Sequence, residues 1–140
     1  MKILVAVDGS AYTRRMLAYI AAHDEWLGAQ HDYTVLHVAT PVPARAAAMV
    51  DKATLQGHYA EASEAVFKPI RTFFAKQKIG AEFVARVGSP ADLIAAVAAK
   101  GKYELLMLGS HGHGSLGNLV LGSVATKVMA GCTTPVLVIR

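Results

Sequence analysis

The chain has 140 residues, 54% hydrophobic and 17% charged, with 14 Lys plus Arg against 10 Asp plus Glu for a formal net charge of +4. That balance describes one ordered domain with a single buried core and excludes a disordered chain. No apolar stretch approaches the roughly 20 residues of a membrane span. The basic residues are scattered, with no interleaved aromatics, which speaks against nucleic acid as a partner.

In chain order, "KILVAV" (2–7) reads as a first strand. Asp8 ends the apolar run before any small-residue cleavage site, so it reads as a strand and not as a leader. A helix is predicted over Thr13–Ala29, with Met16, Leu17, Ile20 and Leu27 at helical spacing and Ser10 as its cap. "YTVLHV" (33–38) is the second strand, and His37 near its end reads as a satisfied buried histidine. The connection over 40–54 is either a lid or a surface crossover. A long helix follows over 55–78, with Pro69 predicted to bend it. "AEFVARV" (81–87) is the third strand, and 89–100 is a helix with Ser89 as cap, Pro90 in the first turn and Asp92 at the positive dipole end. The runs "YELLML" (103–108) and "PVLVI" (135–139) are strands four and five, flanking a helix over 123–130 that Gly131 stops. The single cysteine, Cys132, rules out an internal disulfide and favours the cytoplasm.

Strands alternating with helices predict an α/β fold, a Rossmann-like single domain over 1–140 with a five-stranded parallel sheet and helices on both faces. The common strand orders are 3-2-1-4-5 and 2-1-3-4-5. In the first, strands one and four are neighbours where the winding reverses, and ligands bind outside the carboxyl ends of strands at such a point. Asp8 ends one of these strands and Gly109 the other, so they would face each other there. Asp8 suits a ribose hydroxyl or a magnesium ion; alternatively, Asp8-Gly9-Ser10 is only a turn and a cap.

The stretch Gly109 to Ser123, "GSHGHGSLGNLVLGS", holds five glycines and two histidines and no charged side chain. "GHGSLG" (112–117) matches G-x-G-x-x-G, but the dinucleotide motif needs an acid about 20 residues on, and none follows Glu104. No Gly-Lys-Ser or Gly-Lys-Thr is present for a Walker loop, and "RVGSP" lacks the Asp of a phosphoacceptor domain. His111 and His113, two apart, do not make the four-ligand set of a structural zinc site. Two readings stay open: main-chain amides and the start of the last helix, with Ser123, form an anion site, or the stretch is a ligand-free surface loop.

The glycines fit the pattern G-x2-G-x9-G-[S/T] as Gly109, Gly112, Gly122 and Ser123. With "ILVAVDGS", "VLHV", "VGSPADLI" and "TPVLVI", the whole chain resembles the nucleotide-binding subgroup of the universal stress protein family. The resemblance implies strand order 3-2-1-4-5 and ATP or another adenine nucleotide as ligand, with or without Mg2+. Ala6 and Val7 would line the adenine pocket, Val38 would hold adenine through its backbone, and Asp8 would contact ribose or phosphate-bound magnesium. Gly109, Gly112, Gly122, Ser123 and Val124 would surround the phosphates. His113 stands where the family pattern often has an arginine-like residue. Dimerisation through the last strand, 135–139, is also implied, and that strand is an apolar edge of the kind that needs covering. No arginine finger or well-placed base is apparent, so a dimeric ATP-binding stress-response regulator with little or no hydrolysis is expected. The alternatives are a slow ATPase and a nucleotide-free interaction module.

Overall fold

The structure, a computed structural model, describes residues 1–114 and 120–140. The G-x-G-x-x-G match at 112–117 therefore lies partly outside the described residues. Strands β1 (Lys2–Val7), β2 (Asp32–Ala39), β3 (Ala81–Val87), β4 (Leu105–Gly109) and β5 (Val136–Ile139) form one sheet in the order β3-β2-β1-β4-β5. All four pairings are parallel. The expected order is the one found, with β1 between β2 and β4.

Successive strand residues point to opposite faces, and the core divides accordingly. On one face Ile3, Val5 and Met107 pack with Met16 and Ile20 of α1 (Ala11–Ala22) and with Phe67, Ile70 and Phe74 of α4 (Lys52–Lys76). On the other, Leu4, Leu36, Leu106 and Leu108 pack with Ala91 and Ile94 of α5 (Pro90–Lys100) and Val128 of α6 (Ser123–Gly131). β1 is apolar on both sides because both sides are covered. Each large side chain fully buried here contributes about 1.5–3 kcal/mol of transfer free energy.

Three local expectations are corrected. The helix predicted over 13–29 is broken at His23 into α1 and a short α2 (Asp24–Leu27). The His23 ring Nδ1 takes the Tyr19 carbonyl at 2.8 Å, and the His23 amide bonds Ile20 O instead. A side chain competing for an i−4 carbonyl ends the helix there. α2 is anchored by the Tyr33 hydroxyl, which donates to Leu27 O and whose pKa burial pushes up to about 12. Second, α4 starts earlier than predicted because Asp51 caps it, its Oδ1 accepting the Thr54 amide at 2.6 Å. Pro69 lies within the helix, which continues through it. Third, Ser10 and Ser89 occupy N-cap positions but neither side chain makes a cap hydrogen bond.

The 40–54 connection carries a short helix, α3 (Ala44–Ala47), and is tied to α4 where the Val42 amide donates to the Tyr59 hydroxyl at 2.8 Å. Among the described residues no helix is long and apolar enough to cross a membrane.

Candidate functional site

β1 and β4 end side by side where the winding of the sheet reverses, and a cleft of about 630 Å³ opens outside their carboxyl ends. Every predicted site residue lines it: Ala6, Val7 and Asp8 from β1 and its end, Val38 from β2, Gly109, Gly112 and His113 after β4, and Gly122, Ser123 and Val124 at the head of α6. The topology thus collects into one cavity residues that lie up to 118 positions apart (6 to 124).

Asp8 is held firmly. Its Oδ1 accepts the Ser10 amide at 2.9 Å and the Thr13 hydroxyl at 3.1 Å. Thr13 Oγ1 in turn accepts the amides of Asp8 and Gly9, at 3.1 and 3.2 Å. The turn reading of Asp8-Gly9-Ser10 is therefore correct as far as Oδ1 goes. The other carboxylate oxygen, Oδ2, faces the glycine stretch, and a Cβ on Gly112 would lie 2.8 Å from it. A side chain at 112 would crowd that oxygen, so the bare glycine lets the loop and the end of β1 approach closely.

Gly109 has a different reason to be glycine. A Cβ there would meet the Tyr12 Cβ at 2.6 Å, so its bareness lets α1 pack against the end of β4. Gly122 has a structural tie of its own. Its amide donates to Ser110 O at 2.6 Å, and the Ser110 amide donates to Ile139 O at 2.7 Å. That amide closes the loop onto β4 and β5. The amides of Ser123, Val124 and Ala125 precede the first helical bond, Thr126 N to Gly122 O, and they stand at the positive end of the α6 dipole.

The histidines divide by partner. His113 is exposed, and its Nε2 donates to the Asp8 carbonyl at 2.7 Å, bridging the loop to β1. His111 shares a hydrogen bond with Ser110 Oγ at 2.9 Å and packs its ring against Tyr12 at 5.3 Å. His37 is buried and shares a 2.8 Å hydrogen bond with Ser63 Oγ, as a satisfied buried histidine should, yet it also lines the cleft. Burial lowers its pKa from 6.5, partly opposed by the Asp8 charge.

Sequence reasoning missed Tyr12, Thr13, Tyr59 and Ile94, which also line the cleft. A signal existed for Thr13, five residues after an Asp that begins a turn. Tyr59 and Ile94 reach the site through helix packing, which no local pattern reports. For a metal, Asp8 supplies the sole carboxylate among the described lining residues, and among the described residues no three His, Cys, Asp or Glu side chains gather as a ligand set. These residues fit Mg2+ only as a companion of a bound phosphate, with Asp8 Oδ2 beside it.

The universal stress protein family model matches residues 1–140. The chain belongs to the universal stress protein family. It is 29% identical over 138 residues to the universal stress protein in the QAH/OAS sulfhydrylase 3′ region of Thermus aquaticus, covering 99% of this chain and 97% of that one. Solved structures share the fold. A family member from Arabidopsis thaliana with AMP bound aligns with a TM-score of 0.71 at 15% identity, over 99% of this chain and 90% of that one. The universal stress protein from Archaeoglobus fulgidus in complex with dAMP aligns with a TM-score of 0.61 at 23% identity, over 100% and 98%.

Proposed function

We propose that this universal stress protein binds an adenine nucleotide in the cleft between the ends of β1 and β4 and acts as a regulatory homodimer in the cytoplasmic stress response. The observation that carries the reading is the convergence of the glycine signature and Asp8 on one cavity, with Oδ2 and Gly112 facing each other across it. Apolar Ala6, Val7, Val38, Ile94 and Leu108 suit the base, Asp8 Oδ2 suits a ribose hydroxyl, and the head of α6 with Ser123 suits phosphate. AMP and dAMP in the Arabidopsis and Archaeoglobus relatives support the same ligand class here. ATP, with or without Mg2+, is the ligand the signature implies.

Binding without turnover is the favoured activity. Phosphoryl transfer needs charge stabilisation at the transferred group, and no Lys or Arg stands among the described lining residues. Homodimerisation is assigned to β5, which pairs with β4 alone and leaves Val136, Leu137 and Val138 partly exposed at the sheet edge.

Denaturing the freshly purified protein and identifying released nucleotide by chromatography tests the reading directly. Adding AMP at about a hundred times its Kd should stabilise the fold by about 2.7 kcal/mol, which is roughly 5–10 °C in Tm. No released nucleotide together with an unchanged Tm in excess AMP and ATP refutes it.

A further inference from the structure

The turn after β1 commits the amide, the carbonyl and one carboxylate oxygen of Asp8 before any ligand arrives. The amide donates to Thr13 Oγ1 at 3.1 Å and the carbonyl accepts His113 Nε2 at 2.7 Å, which pins the main chain. Oδ1 accepts the Ser10 amide at 2.9 Å in an Asx turn, with Gly9 at φ +78° making the bend. Oδ2 faces Gly112 instead, and both residues line the cleft.

Thr13 decides where that second oxygen points. A hydroxyl has one proton to give and two lone pairs. The amides of Asp8 and Gly9 take both lone pairs, at 3.1 and 3.2 Å, so the proton goes to Asp8 Oδ1, at 3.1 Å. With the Ser10 amide, Oδ1 then has two donors, which fix the plane of the carboxylate and turn Oδ2 toward the cleft. Thr13 is itself buried, 4% exposed, in the first turn of α1, so a rigid helix holds the group that holds the acid.

Resting on the nucleotide reading above, we propose that Thr13 is a positioning residue whose hydroxyl aims Asp8 Oδ2 at the sugar, so that the cleft selects a nucleotide with ribose hydroxyls. An oxygen oriented before binding loses little freedom when it accepts a hydroxyl. A bond to a charged acceptor is stronger than a neutral one, and a sugar without hydroxyls leaves that acceptor unpaired in the closed site.

The test is calorimetric titration of the full chain with AMP and with its dideoxy analogue, which lacks both ribose hydroxyls. EDTA is present so that no Mg2+ competes for Oδ2. The parent chain should bind AMP at least about tenfold more tightly than the analogue. Thr13→Val replaces the hydroxyl by a methyl group, and the ratio of the two Kd values should shrink several-fold, while Thr13→Ser should keep it. Thr13→Ala, where water from the cleft can reach the two amides, gives the same readout should the valine chain not fold. A purely structural role for Thr13 weakens both nucleotides alike and leaves the ratio where it was. A ratio unmoved in Thr13→Val and Thr13→Ala overturns the assignment, and so does a ratio lost equally in Thr13→Ser. An analogue bound as tightly as AMP by the parent chain also overturns it and leaves nucleotide binding intact. If neither nucleotide binds the parent chain, the nucleotide reading itself falls and takes this assignment with it.

Discussion

Replacing Gly112 by alanine adds one methyl group to the wall of the cleft, beside Asp8 Oδ2. Its Cβ would lie 2.8 Å from Asp8 Oδ2, several tenths of an ångström inside ordinary van der Waals contact, so something must move. If the carboxylate moves, it strains bonds from the Ser10 amide and the Thr13 hydroxyl, each charged and worth about 1.5–3 kcal/mol. If the loop moves, the side-chain anchor nearby is the exposed His113 bond to the Asp8 carbonyl, worth about 1 kcal/mol. The loop route costs less and wins. Gly112 does not adopt positive φ, so alanine adds no backbone strain. Stability should therefore fall by about 1 kcal/mol or less, roughly 2–4 °C in Tm. Affinity should fall far more, because a methyl there covers the side of Asp8 Oδ2 that a ribose hydroxyl would approach. We expect a loss of ten- to a hundredfold in Kd for AMP, about 1.4–2.7 kcal/mol, read by calorimetry beside a melting curve. An AMP affinity equal to that of the parent chain refutes this placement of the sugar.

Met107→Ala truncates a fully buried side chain in β4, beside the central strand β1. It should cost about 2–5 kcal/mol, visible as a lower midpoint in urea with an unchanged slope. His37 is held neutral by burial, with a folded pKa below its unfolded 6.5. The unfolded chain then binds more protons, so this contribution is complete above about pH 6.5 and is lost as pH falls through the folded pKa. In urea titrations at several pH values, His37→Gln should flatten that decline, and an identical pH profile would contradict the assignment. Val138 packs with neither core cluster and lies partly exposed on the β5 edge. Val138→Arg should convert a dimer to a monomer in sedimentation velocity while the chain stays folded.

Much of this architecture was legible because long apolar strands and amphipathic helices are written in local periodicity. "KILVAV" and "AEFVARV" fall on β1 and β3 with the expected bounds. The break at His23 was not legible, because the spacing of Met16, Ile20 and Leu27 runs straight through it while a ring nitrogen takes the Tyr19 carbonyl. The Asp51 cap lies inside the 40–54 stretch, whose polar, loop-like character as a lid or surface crossover hides the helix start that Asp51 sets by accepting the Thr54 amide. At the site, the glycine spacing located the cleft but assigned the glycines one role. In the structure Gly109 makes room for Tyr12, Gly112 makes room beside Asp8, and Gly122 closes a loop through its amide. Which neighbour crowds a glycine is a tertiary fact that spacing does not carry.

Ser110 gives its amide to the last residue of the edge strand and its carbonyl to the residue that starts the final helix. The strand that would greet a second copy and the amides that would greet a phosphate are thus yoked through one residue. On the proposed reading, a shift of either would load the other through Ser110, a path one residue long. Any free energy carried along that path would act reciprocally: a contact that favoured a second copy at the edge strand would favour a phosphate at the helix head by the same factor.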